Sequence, residues 1–337
     1  MDAIVLAGGE GTRLRPLTEQ RSKTLVPILG RPLLGLLLNH LAEHGVTRAV
    51  LALTRGPSSA AVVRAFTADP TLGGIVPRSL DVRAAFEETP LGSGGAIANA
   101  AKSLDFMSDP VLVCNGDLVT DLDVTALRAA HREHGAELTM ALTEVADPSR
   151  FGVAALDGAN RITTFVEKPA PGSEPSNLAN AGFWLFSASL IAAADSREFN
   201  RVEDALFPNL VSAGRPIFGF RHTGYWRDVG TPEAYREAVM DALDRAATSL
   251  DPPGLAWLDA TARVEGNASV RHSSVEADCL VEDGAIVTHS VLWESVHVGA
   301  GAHIENSVLG AGFQVPPGAL IRDTCLVPPS AVGAPSR

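Results

Sequence analysis

The residues best equipped for chemistry in this 337-residue chain come soon after its start. Gly8, Gly9 and Gly11 follow the apolar run "AIVLA" (3–7), with Thr12, Arg13, Arg15 and Lys23 shortly beyond. Glycines at the end of a buried strand let the backbone turn with its N–H groups facing an anion. Guanidinium and ammonium groups beside such a turn supply the positive charge that phosphate oxygens require. The competing use of the same residues is a plain turn. No Gly-Lys-Ser/Thr follows, so the loop is not a Walker A motif, and its G-G-x-G spacing is not the G-x-G-x-x-G of dinucleotide-binding folds. Asp117 is the second group of interest. It ends the apolar run "PVLVCNGD" (110–117), which puts a carboxylate at the C-terminal edge of a parallel strand, where ligands of open α/β sheets collect. Capping a turn is the bland alternative.

Regular elements must hold these groups in place. The runs at 3–7, 48–54, 110–117 and 137–145 read as strands, and 31–45 and 123–135, each ending in glycine, read as helices. Strand–helix alternation predicts an α/β, Rossmann-like domain, a mainly parallel sheet flanked by helices on both faces. "TPEAYREAVMDALDRA" (231–246) predicts a closing helix with Thr231 as N-cap and Pro232 in its first turn. This domain is set at 1–246, and the Pro/Gly-bearing stretch 247–261 reads as a linker. From residue 262 the pattern changes. Val264 and Val270, then Val275, Val281 and Val287, then Leu292, Val298 and Ile304, then Val315 and Ile321 recur six apart, with small residues between. That period predicts a short left-handed parallel β-helix over 262–330, of roughly three coils at about 18 residues each. A few irregular antiparallel strands are the alternative.

Composition limits the partners. A formal net charge of -12 argues against nucleic acid, whose phosphate backbone needs a basic face. Cys114, Cys279 and Cys325 are too scattered for a disulfide framework or a zinc site. The first apolar run meets glycine too early for a signal peptide, and no run approaches the roughly 18 apolar residues of a membrane span. A cytoplasmic protein with no membrane partner is the expectation.

The whole ordered set of motifs is more specific than the glycine loop alone. "LAGGEGTRLRPLT" and "SKTLVPILGRPLL" are followed by "ETPLGSGGAI" (88–97), "NGD" (115–117), "FVEKP" (165–169), "NAG" (180–182) and "YWRDVGTPEAY" (225–235). In that order they closely resemble the sugar nucleotidyltransferases, also called nucleotide-diphosphate-sugar pyrophosphorylases, over about residues 1–245. Some members carry an appended hexapeptide β-helix. The resemblance implies condensation of a nucleoside triphosphate with a sugar 1-phosphate, releasing pyrophosphate. It implies triphosphate contacts along Leu6, Ala7, Gly8, Gly9, Gly11 and Thr12, with Arg13 on the departing pyrophosphate. Lys23 matches the lysine of a "PKP" string whose prolines are here Ser22 and Thr24. Lys168 matches the lysine that holds the sugar's phosphate, and Glu167 a hydroxyl acceptor. Asp117 and Asp228 match two carboxylates, hard ligands suited to Mg²⁺. Pairing with Arg227 is the structural alternative for Asp228.

The stretch around Glu87, Pro90, Gly92 and Ser93 is expected to read the base, with Gly92, Gly94 and Gly95 leaving room for a flat ring. A carboxylate only accepts hydrogen bonds, and guanine offers two adjacent donors, so Glu87, with Glu88 next, favours GTP. Gly152, Asn180 and Gly182 match positions around the hexose. Within the family the chain is most like the mannose-1-phosphate guanylyltransferases. The alternatives are thymidylyl, uridylyl or adenylyl transfer to glucose 1-phosphate or a cyclitol phosphate, and a non-catalytic regulatory subunit. An acyltransferase using His272, His289, His297 or His303 would leave the N-terminal motifs unexplained, so these histidines are read as surface or stacking groups. The β-helix is expected to serve homo-oligomer assembly more than chemistry.

Overall fold

The computed structural model describes residues 1–104, 107–193, 200–247 and 254–329. Part of the predicted linker, 248–253, and residue 330 of the predicted β-helix lie outside them. The chain forms two compact units, Met1–Gly9 with Leu34–Arg227, and Glu10–Leu33 with Asp228–Arg337. No helix among the described residues is long and apolar enough to cross a membrane.

The first unit holds the large sheet. Its strands are β1 (Asp2–Leu6), β2 (Arg48–Thr54), β3 (Asp81–Glu87), β4 (Val111–Asn115), β5 (Leu118–Thr120), β6 (Leu138–Glu144), β7 (Gly152–Leu156), β8 (Ile162–Glu167), β9 (Leu178–Phe186), β10 (Ile217–His222) and β11 (Trp226–Asp228). The helices are α1 (Leu33–Glu43), α2 (Pro57–Ala68), α3 (Gly92–Ala101), α4 (Val124–Glu133), α5 (Ala188–Ala192) and α6 (Phe207–Ser212). The sheet runs β8-β7-β9-β4-β1-β2-β3, with β6 joining β9 to β10, while β5 and β11 make a separate two-stranded ribbon.

One half matches the parallel sheet expected from the sequence. β1 lies parallel between β2 and β4, with Val5 opposite Leu51 and Cys114. The other half is mixed, because β9 runs antiparallel to both β4 and β6, with Trp184 opposite Val113 and Met140. A strand covered on both faces is apolar throughout, so its pattern carries no sign of its direction. Phe183, Trp184 and Phe186 fill the interior as expected, at 0%, 0% and 1% exposure. Phe207 packs on this cluster, 5.5 Å from Trp184 and 5.3 Å from Phe165 between ring centres. Each such buried ring contributes about 2–3 kcal/mol. In α4, Val124, Leu127 and His131 are the buried positions, a helical stripe, and the Asp123 carboxylate caps the helix by accepting from Ala126 N–H at 2.8 Å.

The second unit carries the β-helix and α7 (Pro232–Ala246), where Thr231 Oγ1 accepts from Ala234 N–H at 3.2 Å as the N-cap reading expects. Three parallel sheets of five, four and four strands stack along the β-helix, an arrangement consistent with the left-handed hexapeptide type. The coil is 17 residues long rather than about 18: Trp257, Ser274, Val291, Val308 and Cys325 are successive register partners. Two legs of each coil take six residues and the third takes five. His272, His289, Asn306 and Asp323, with φ of 42°, 49°, 47° and 49°, occupy equivalent left-handed corners that close the short leg. That corner accounts for the single-residue slips in the sixfold apolar pattern. Ser273, Ser290 and Ser307 are fully buried beside it, each of the last two donating its backbone N–H to the hydroxyl one coil earlier at 3.1 Å.

Glu10–Leu33 belongs to this same unit, and its second half rests on the coils. Gln20 Nε2 donates to Ala311 O at 3.0 Å. Arg21 pairs with Glu294 and lies 4.9 Å over the Trp293 ring. Gly30 N–H donates to Glu276 Oε1 at 3.2 Å. The fully buried Tyr235 hydroxyl donates to Pro27 O at 2.6 Å and accepts from Trp293 Nε1–H at 2.8 Å.

Candidate functional site

In the first unit, β1 and β4 end side by side, and Gly116 N–H donates to Leu6 O at 2.9 Å. Leu6 and Ala7 therefore finish β1 next to the "NGD" turn that carries Asp117. Ala7 N–H is spent on Ala52 O at 3.0 Å. Gly8 is pressed against the end of β2, where an added Cβ would sit 2.8 Å from Thr54 N, while Gly9 has open space. Burial, and after it the Asp117 charge, push the Cys114 thiol up, so it stays protonated and inert.

Glu87 ends β3 with its carboxylate fixed at both oxygens. Thr54 Oγ1 donates to Oε1 at 2.6 Å and Leu91 N–H donates to Oε2 at 3.2 Å. Each oxygen keeps a further lone pair for a ligand donor. Glu88 turns the other way and pairs with Arg55 at 2.5 Å, with its side chain 77% exposed. The glycines after Pro90 differ from expectation in what they accommodate. A Cβ at Gly92 would lie 2.2 Å from Asn200 O, and one at Gly94 would lie 1.6 Å from Asn200 Oδ1. Their missing side chains make way for the Asn200 segment. Ser93 Oγ donates to Glu203 Oε2 at 2.7 Å and accepts from Val202 N–H at 2.9 Å.

Glu167 and Lys168 close β8. Lys168 has φ 45°, left-handed backbone uncommon for a lysine, and its N–H donates to Phe151 O at 3.0 Å. Strain at one residue of a charged motif points to a geometry kept for use. The Lys168 ammonium lies 3.5 Å from Glu167 Oε1 and remains 58% exposed. At Gly152 a Cβ would meet the Phe165 ring at 2.6 Å and Glu167 Oε2 at 2.8 Å, so the glycine makes room for the carboxylate. Asn180 Oδ1 accepts from Gly182 N–H at 3.0 Å and from Trp184 Nε1–H at 2.8 Å, at a break in the β6–β9 register. Trp226 Nε1–H donates to Ala181 O at 2.8 Å, which ties the "NAG" strand to the segment leading to Asp228.

Within the second unit stand Gly11, Thr12, Arg13, Lys23 and Asp228. Gly11 has φ 64°, and a Cβ there would lie 2.9 Å from Thr18 Cγ2 and 3.1 Å from Lys23 Cβ. Thr18 Oγ1 donates to Gly11 O at 3.0 Å, closing the loop on itself. Arg13 and Lys23 sit on the two short 3-10 turns that flank this crossing. The Arg13 guanidinium and the Asp228 carboxylate converge over Gly230, 3.5 Å and 3.2 Å from where its Cβ would be. No cluster of three or more His, Cys, Asp or Glu able to hold a metal occurs among the described residues. Such a cluster is not what Mg²⁺ needs, since it is commonly held by one or two carboxylates with substrate phosphates and water completing the shell. Asp117 and Asp228 are each a hard oxygen donor of the kind such a shell uses.

A model of the nucleotidyl transferase family matches residues 2–245. The chain belongs to that family. The GlmU-like C-terminal hexapeptide model matches residues 260–324 of this nucleotidyl transferase. The mannose-1-phosphate guanylyltransferase of Mycobacterium tuberculosis is 36% identical over 74% of this chain and 66% of its own length. A UTP–glucose-1-phosphate uridylyltransferase of Synechocystis is 31% identical over 76% of this chain and likewise 66% of its own length. The match thus spans just under two thirds of those relatives. The crystal structure of HddC from Yersinia pseudotuberculosis complexed with GMP-PN aligns with TM-score 0.59 and 27% identity, covering 72% of this chain and 99% of that one.

Several residues that shape the site of this nucleotidyl transferase escape sequence reasoning. Thr54 and Thr18 hold Glu87 and Gly11 through single hydroxyls, and Arg201 and Glu203 reach Glu167 and Ser93. Thr18 ends the motif "LAGGEGTRLRPLT" without being singled out there, and the other three lie in no recognisable motif. For Arg201 and Glu203 the available signal was the charge-dense string "NRVED" (200–204), which reads equally well as a solvated turn.

Proposed function

We propose that this nucleotidyl transferase moves a nucleotidyl group from a nucleoside triphosphate, GTP in first place, to a sugar 1-phosphate, mannose 1-phosphate in first place. An oxygen of the sugar phosphate attacks the α-phosphorus, the bond to the β-phosphate oxygen breaks, and pyrophosphate leaves with the electron pair. The products are a nucleotide-sugar and pyrophosphate. The observation that carries this reading is the retention of Arg13, Lys23, Asp117, Lys168 and Asp228 together, each on its family motif. A chain that only bound nucleotide-sugar would be free to lose them.

Catalysis of this kind is alignment and charge neutralisation. Arg13 and Lys23, on a loop kept tight by Gly11 and Thr18, are assigned to the triphosphate and the departing pyrophosphate. Leu6, Ala7, Gly8, Gly9 and Thr12 line its path. Lys168 takes the sugar's phosphate, while Gly152, Glu167, Asn180 and Gly182 surround the sugar. Asp117 and Asp228 hold Mg²⁺, which offsets charge building on the α-phosphate when bound.

Glu87 supports guanine, because Thr54 and Leu91 fix its carboxylate as a pure acceptor and the ring offers two adjacent donors. Pro90, Gly92 and Ser93 complete that turn. We place catalysis in 1–246 and the repeat in 262–330, joined through 247–261, and infer a cytoplasmic homo-oligomer. Pyrophosphate release over a matrix of five nucleoside triphosphates and several sugar 1-phosphates tests the reading. GTP with mannose 1-phosphate should give the highest kcat/KM, and Glu87→Gln should shift preference away from GTP. An unchanged nucleotide profile in that variant removes the base assignment.

A further inference from the structure

The segment from Asn200 to Asp204 touches both halves of the first unit's substrate machinery. On the nucleotide side, Asn200 N–H donates to Leu91 O at 2.9 Å and Gly94 N–H donates to Asn200 O at 3.0 Å. Ser93 Oγ is held between Val202 N–H and the Glu203 carboxylate. On the sugar side, an Arg201 terminal nitrogen donates to Glu167 Oε1 at 3.2 Å. The same guanidinium lies 3.2 Å from Asp204 Oδ2 and 3.8 Å from Glu203 Oε2. A continuous polar path therefore runs Ser93, Glu203, Arg201, Glu167.

Arg201 is the hub of that path. Burial works against its charge, but Glu203, Asp204 and Glu167 hold its proton more firmly than usual. Glu203 and Glu167 are well covered, with side chains 12% and 15% exposed, so their charges are poorly screened by water. Without the guanidinium, Glu167 would face Lys168 alone, beside the place assigned to an anionic sugar phosphate, and Glu203 and Asp204 would lose the charge they share. A planar fork with five donors can meet three carboxylates at once, which a lysine cannot.

We propose that Arg201 is a positioning residue that ties Glu167 to Ser93 and so makes binding of either substrate favour binding of the other. The inference rests on the reading of Ser93 and Glu167 as nucleotide-side and sugar-side groups. When the sugar phosphate orders Glu167, Arg201 transmits that order to Glu203 and Ser93. Coupling of this sort is reciprocal, so the nucleotide orders Glu167 by the same factor.

The test is titration calorimetry on the full chain with Mg²⁺. The α,β-methylene analogue of GTP is titrated with and without saturating mannose 1-phosphate, and the reverse titration is run alongside. Wild type is expected to show a coupling factor of about 5- to 100-fold in both directions. Arg201→Ala should bring the factor to about one while affinity for the analogue alone changes less than about threefold, and Arg201→Lys should recover part of it. In steady state, Arg201→Ala should raise the sugar-phosphate KM about tenfold or more with a smaller change in kcat. A wild-type factor of one, or an Arg201→Ala factor equal to wild type, overturns the inference alone. Should Arg201→Ala fail to fold, Arg201→Lys and Glu203→Gln carry the same comparison. Wild type binding neither ligand overturns the functional reading and this inference with it.

Discussion

Tyr235→Phe isolates one atom that joins the Gly11–Leu33 segment to the β-helix within the second unit. The hydroxyl donates to Pro27 O at 2.6 Å and accepts from Trp293 Nε1–H at 2.8 Å, and both Tyr235 and Trp293 are 0% exposed. Phenylalanine keeps the ring against Trp293, at 6.2 Å between centres, so apolar burial is unchanged. What is lost is the partner of a buried donor and of a buried acceptor. Each such group costs about 1–3 kcal/mol, so the variant should lose roughly 2–6 kcal/mol. Equilibrium urea unfolding of wild type and variant, compared at equal slope, reads this directly. The loop between Gly11 and Leu33 also loses an anchor, so the KM for GTP should rise more than that for sugar phosphate. A loss under about 0.5 kcal/mol with unchanged KM would refute the reasoning that loop and coils form one cooperative structure.

Two further outcomes are expected. Gly11→Ala forces a side chain onto φ 64° and into Thr18 and Lys23, and a displacement near 1 Å in this loop should lower kcat/KM about 100-fold while circular dichroism stays native. Glu276, held against Gly30 N–H, is pushed up to about 7, chiefly by burial and then by the Glu294 charge, against the pull of Gly30, Ser274 and Arg21. Its folded value lies above the unfolded 4.5, so the folded state binds the proton more tightly and this contribution to stability falls as pH rises from about 4.5 to about 7. At 1.36 kcal/mol per pH unit the loss is at most about 3 kcal/mol, and Glu276→Gln should flatten the thermal stability profile in that window. An unchanged profile in the variant removes Glu276 as its source.

The strands carrying Gly8 and Asp117, the Thr231 cap and the β-helix were all legible in the sequence, because apolar period and capping chemistry are local. The direction of β9 was not, since a strand buried on both faces reads alike either way. The 17-residue coil was visible only as slips, whose cause, the left-handed corner at His272 and its stacked equivalents, needs coordinates. His272 and His289 meet edge to face, 4.9 Å between ring centres, and His272 lies 2.8 Å from Asp244 Oδ1. The β-helix also holds Gln20, Arg21 and Gly30 of the segment between Gly11 and Leu33. Such contacts join residues hundreds of positions apart and leave no periodic trace.

The most direct measurement follows radioactive phosphorus from α-labelled GTP in the presence of mannose 1-phosphate and Mg²⁺, for wild type, Asp117→Asn and Asp228→Asn. The label should pass into nucleotide-sugar with wild type and unlabelled pyrophosphate should appear in equal amount. Either substitution should slow that transfer by orders of magnitude without unfolding the protein. Near-normal transfer in either variant contradicts the metal role, and no transfer by wild type with any nucleotide and sugar phosphate contradicts the account at its root.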